Sequence, residues 1–120
     1  MSVNVTYNDL FEVKYLDDKN EQRVFFFYRC EDSAFLYSAK EFIRNSTEKH
    51  FSVLSATYFI ELRITYSNSG IQPQPKINRF AEHEFTSKEF LLLSPDWVER
   101  TRNNASQEID SYLAEHHGLA

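Results

Sequence analysis

The heptapeptide Arg23-Val24-Phe25-Phe26-Phe27-Tyr28-Arg29 constrains this chain more than any other stretch. Its density of aromatic and β-branched side chains reads as a strand, in which successive side chains point to opposite faces. Phe25 and Phe27 then lie on one face and Val24, Phe26 and Tyr28 on the other. Both faces are apolar, which predicts a strand in the middle of a sheet with cover on each side.

The neighbouring segments supply the rest of a sheet. From Leu10 to Leu16, Phe11, Val13 and Tyr15 alternate with Glu12 and Lys14, the period of a half-buried strand. The polar run 17–22 supplies turn chemistry, so the first two strands form a hairpin. After it, Asp32 or Ser33 can cap a helix whose apolar positions Phe35, Leu36, Ala39, Phe42 and Ile43 share one face. The stretch from Phe51 to Tyr66 is β-prone, with Tyr58, Ile60, Leu62, Ile64 and Tyr66 in one phase and Phe59, Glu61, Arg63 and Thr65 in the other. It reads as one bent strand or as two strands turning near 55–57. The segment 68–75, with Gly70, Pro73 and Pro75, reads as a loop and as the part of the chain expected to move most. A further strand is expected within 78–85, and 88–93 fits either a strand or a helical turn.

Ser94-Pro95-Asp96 is a helix start: an N-cap hydroxyl, a proline at the first helical position and an acid on the positive end of the dipole. The buried stripe of that helix would run through Trp97 or Val98, Thr101, Ala105, Ile109, Tyr112 and Leu113, with Gly118 closing it in a left-handed cap. Asn103 and Asn104 leave open whether it is one helix or two. The 120 residues therefore form a single α+β domain spanning 1–120: an antiparallel sheet of about four to six strands, with one central helix and a C-terminal helix packed on it.

Composition narrows the chemistry. The formal charge is −5, which opposes nucleic-acid phosphates and favours a basic partner. The run from Arg23 to Arg29 resembles the aromatic strand on which RNA-recognition motifs stack bases, in its basic residue and its rings. It departs from that pattern where Val24 and Phe26 replace small residues, and where no helix separates the first two strands; nucleic acid is not the expected partner. The single cysteine, Cys30, excludes an internal disulfide and points to a reducing, cytoplasmic setting. The sequons at Asn4, Asn45 and Asn104 read as accidents of an Asn- and Ser-rich chain, and no apolar run reaches the roughly 20 residues that span a bilayer.

No catalytic constellation emerges. Cys30 lacks a base beside it, and neither glycine sits in a phosphate-binding loop. Glu82 and Glu84 share the face opposite His83, and His116 and His117 are too divergent on a helix to chelate one ion. The expectation is no metal and no cofactor, and the balance leans against an enzyme without deciding it.

What stands out is a surplus of rings: eleven Phe, seven Tyr and one Trp exceed what two helices on one sheet face can cover. The reading is a small acidic protein-binding domain, such as an inhibitor, immunity factor or adaptor, acting stoichiometrically on a basic protein or on a second copy of itself. Its expected contact residues are the anchors Tyr58 and Phe59 with Glu61, and the acidic turn residues Asp17, Asp18 and Glu21. The alternative is a small-ligand or enzymatic cup between the sheet and the C-terminal helix, with His83 or Tyr66 as polar groups.

Overall fold

The structure is a computed structural model that describes residues 2–30, 34–67 and 75–118. Strand β1 (Ser2–Leu16) and strand β2 (Gln22–Tyr28) form the expected hairpin. Helix α1 (Ala34–Arg44) follows, then strand β3 (Ser52–Ser67), strand β4 (Lys76–Phe85), a short helix α2 (Ser87–Leu91) and the long helix α3 (Pro95–His117). The four strands form one antiparallel sheet in the order β2-β1-β3-β4. The fold is α+β.

Strands β1 and β3 pair from Ser2 opposite Ser67 to Leu16 opposite Ser52. At about 3.3 Å per residue such strands run roughly 50 Å, and the molecule measures 51 × 33 × 22 Å. Its radius of gyration of 16.8 Å exceeds the roughly 13–14 Å of a round domain this long. The helices divide that length between them. Helix α1 packs Phe35 on Phe11, and Phe42 on Tyr15, Phe25 and Phe27; α2 sets Phe90 edge-on to Phe11. Helix α3 runs from Trp97, against Tyr58 and Phe85, to Tyr112 against Phe80 and His117 against Tyr66. All of these contacts fall on one face of the sheet.

Two irregularities make that face continuous. Phe80 and Phe85 are five residues apart, so a regular strand would point them to opposite faces. Ala81, at φ 55°, inserts an extra residue: Tyr58 pairs with His83 and Ile60 with Phe80, which turns Phe80, His83 and Phe85 all toward the helices. The register of β1 and β3 also shifts between Lys14 and Tyr15, leaving Leu54 as the unpaired residue.

In a chain short of glycine, Asn20 takes the left-handed position (φ 63°) of the β1–β2 turn, as asparagine tolerates better than most residues. The Ser94 hydroxyl accepts from the Trp97 N–H, Pro95 opens α3, and Gly118 at φ 63° closes it, so the helix is continuous through Asn103 and Asn104. The 88–93 stretch resolves to helix at α2. There the Thr86 hydroxyl accepts from the Glu89 N–H while the Glu89 carboxylate accepts from the Thr86 N–H, a reciprocal cap.

The stretch from Phe51 to Tyr66, left open between one bent strand and two, is one strand with a bulge at Leu54. Two expectations change. The first strand begins at Ser2, eight residues before Leu10. Strand β2 is not central: it lies at the sheet edge, with only one of its faces under a helix. The suggested caps at Asp32 and Ser33, and all of the 68–75 loop except Pro75, lie outside the described residues.

Candidate recognition face

The helix-free face of the sheet is a grid fixed by register. Its rows, counted from the β1–β2 turn, are Val24–Lys14–Ser55, then Phe26–Glu12–Thr57–Glu84, then Tyr28–Leu10–Phe59, then Asn8–Glu61–Arg79. Among the described residues no element lies over these rows.

Two zones result. On β1 and β3 the apolar residues of this face are buried. Leu10 and Phe59 are opposite one another and each is only 1% exposed. The Arg79 guanidinium lies 4.1 Å from the centroid of the Phe59 ring, a cation–π contact, and Glu12 (3.6 Å) and Glu82 (3.8 Å) hold it there. On β2 no such roof exists. Val24, Phe26 and Tyr28 are 41%, 42% and 50% exposed, a stripe of alternate residues along an edge strand. The strand's other phase, Phe25 and Phe27, meets Phe42 of α1, although Phe25 is still 46% exposed.

The expected contact residues divide as follows. Tyr58 faces the helices and is fully buried; its ring meets Phe11 and Trp97. Phe59 is on the open face but under Arg79. Neither ring is offered to a partner, which corrects their reading as surface anchors. Glu61 lies on the open face, bound to the Arg63 Nε at 2.6 Å. Asp17, Asp18 and Glu21 form the tip of the β1–β2 hairpin, roughly 30 Å from Glu61 along β1. One Asp17 carboxylate oxygen accepts the N–H groups of Lys19 and Glu21, and the other accepts from Arg23 Nε. These bonds, the Glu21 N–H foremost, hold its carboxyl below the ordinary carboxylate range. Asp18 and Glu21 are exposed, so the tip remains acidic.

Sequence reasoning missed a polar network on the opposite face. Asp9, fully buried, stands in the same inward phase as Phe11 and Val13. Arg29 clamps it with two donors, Nε at 2.6 Å and Nη2 at 2.9 Å, and the Tyr58 hydroxyl donates at 3.0 Å. Arg29 also pairs with Glu99 of α3 at 2.9 Å, and the Arg102 Nε lies 3.5 Å from Asp9. Two acids thus balance two guanidinium groups. Burial, and then the Asp9 charge, push the Tyr58 hydroxyl well above the usual phenol range, so it stays a donor; the hydrogen bonds that Arg29 itself donates to Asp9 raise the guanidinium above its ordinary value. The signal available was the alternation Val3, Val5, Tyr7, Asp9, Phe11, which places Asp9 on the core face once the strand is extended back from Leu10.

The remaining chemistry-bearing side chains are dispersed. Cys30 is an exposed free thiol just beyond β2. His83 packs on Phe85 and Trp97, while the Tyr66 hydroxyl and His117 Nδ1 share a 2.7 Å hydrogen bond. Among the described residues no three metal-ligating side chains converge, and no cavity opens between the sheet and α3. No helix there is long and apolar enough to cross a membrane.

No protein-family model matches this chain, and neither curated proteins nor solved structures give a match.

Proposed function

We propose that the chain is a protein-binding domain whose helix-free sheet face receives a partner, with Val24, Phe26 and Tyr28 as its apolar anchors. The observation that carries this reading is their exposure on a face that no described element covers. Exposed apolar stripes rimmed by polar residues mark interaction surfaces, and aromatic residues are favoured anchors there. Beside this stripe lie the acidic hairpin tip at one end and Glu12, Glu61, Glu82 and Glu84 across the sheet. With a net charge of −5, the surface suits a basic partner, and association would be faster at low salt. The domain acts by stoichiometric binding, as an inhibitor, immunity factor or adaptor does, and no catalytic group is assigned. The exposed thiol of Cys30 suits a reducing compartment such as the cytoplasm.

The anchors in this reading differ from Tyr58 and Phe59, while Glu61, Asp17, Asp18 and Glu21 keep their place at the rim. Half-exposed rings of this size each have about 100 Å² left to bury, worth roughly 2–3 kcal/mol. The test is quantitative capture of proteins from the source cells by immobilised wild type and by Phe26→Ala/Tyr28→Ala. The double variant should retain its melting temperature and lose affinity for the captured partner by about 30-fold or more. Equal capture by both proteins would refute the assignment of the stripe.

A further inference from the structure

The sheet has a step cut into its β1 edge. Strand β2, seven residues long, pairs with β1 only from Leu10 to Leu16, and beyond it the backbone of β1 from Ser2 to Asn8 has β3 on one side and no described strand on the other. The chain leaves β2 at the corner of the step, where the Arg29 N–H donates to the Asp9 carbonyl and the Asn8 side chain donates to the Arg29 carbonyl. An open row of seven residues therefore continues the row that β2 occupies.

The three free edges of the sheet are not equivalent. The β4 edge carries Lys76, Arg79, Glu82 and Glu84 and the Ala81 bulge, features that discourage strand addition. The β2 edge is bounded by Arg23 and Arg29. The free part of β1, Val3-Asn4-Val5-Thr6-Tyr7-Asn8, has no charge, no proline and no bulge.

We propose that this step is filled by a second copy of the chain, through antiparallel pairing of the two free β1 segments about a two-fold axis at Val5. Three observations select that occupant. First, the shape is self-complementary: a two-fold axis at Val5 lays the free Ser2–Asn8 segment of each copy along the open row of the other, in line with that copy's β2, so the two sheets interlock. Second, the register that uses the whole gap sets Val3 opposite Tyr7 and Asn4 opposite Thr6 at both ends. Those are aromatic–β-branched and polar–polar pairs, both favourable across strands, and no like charges meet. Third, Val3 and Tyr7 are 38% and 40% exposed on the helix side, and the seam would cover both. The axis is perpendicular to the sheet, so the helices of both copies stay on one side. The two stripes of Val24, Phe26 and Tyr28 then share the other. The seam does not depend on the recognition reading, and either can fail alone.

The test is the solution mass of the full chain by light scattering at about 0.1–0.5 mM, a concentration suited to an interface of modest area. Wild type should weigh about twice 14.2 kDa. Asn4→Glu/Thr6→Glu sets glutamates opposite each other across the seam and should run as a monomer; each site is exposed, and Thr6→Glu faces Arg63 within its own sheet, so the melting temperature should hold. Asn4→Lys/Thr6→Glu, in which lysine meets glutamate across the axis, should restore the dimer. Monomeric wild type, including one that captures an extended peptide instead of itself, would overturn the proposal. So would a dimer that persists in the double-glutamate variant, because its interface would lie elsewhere.

Discussion

Asp9→Ala is expected to cost about 3–5 kcal/mol, because it removes both Asp9 hydrogen bonds from the partly buried Arg29 and the carboxylate that faces Arg102, leaving Glu99 as the acid of the network for two guanidinium groups. Against a total stability of about 5–15 kcal/mol for a domain, that is a loss of the order of 10–20 °C in melting temperature. Chemical denaturation of wild type and variant measures it directly. Tyr58→Phe, which removes one donor and keeps the ring, should cost about 1–3 kcal/mol. Because both changes touch the same carboxylate, the double variant should lose less than the sum of the two. This network joins β1, the end of β2, β3 and α3, so its physical role is to fix where α3 docks on the sheet.

Phe11→Ala should cost a similar 3–5 kcal/mol. Phe11 is fully buried and meets the rings of Phe35, Tyr58 and Phe90, so it is the residue at which α1, α2 and the sheet converge. The informative comparison is with Phe26→Ala, one strand away and on the other face. That change should cost about 1 kcal/mol or less, since it removes a half-exposed ring with no helix above it. Equilibrium unfolding of the two variants side by side measures how unevenly the faces contribute to stability. Near-equal losses would mean that both faces are core.

Much of the architecture was legible because it rests on local chemistry. The Ser94 cap, Pro95 and the Gly118 terminus mark α3 from both ends, and the alternation from Tyr58 to Tyr66 sorts β3 into its two phases without saying which of them is buried. The position of β2 was not legible. Rings on both phases are compatible with a covered central strand and with an edge strand that leaves most of them partly exposed. Which one holds depends on where β3 and β4 pair, a fact set by contacts 30 to 70 residues away. The surplus of rings, read on the outward phase of the second strand and at Phe59, divides: Phe59 is roofed by Arg79, whereas Phe26 and Tyr28 stay about half exposed. The first half of β1 was missed although Val3, Val5 and Tyr7 alternate with Asn4, Thr6 and Asn8. Asparagine and threonine in the outward phase dilute the pattern, and the inward phase reaches the core through an aspartate whose partners are remote in sequence.

The sharpest check on the two-faced sheet is hydroxyl-radical footprinting of the protein with residue-level mass readout, at a concentration low enough to keep it monomeric. Phe26 and Tyr28 should be oxidised readily while Phe11, Phe59 and Phe90 are protected, as their burial requires. Protection of Phe26 and Tyr28 to the level of Phe11 in the free monomer would mean that the chain covers its own second face, and the recognition surface would not exist.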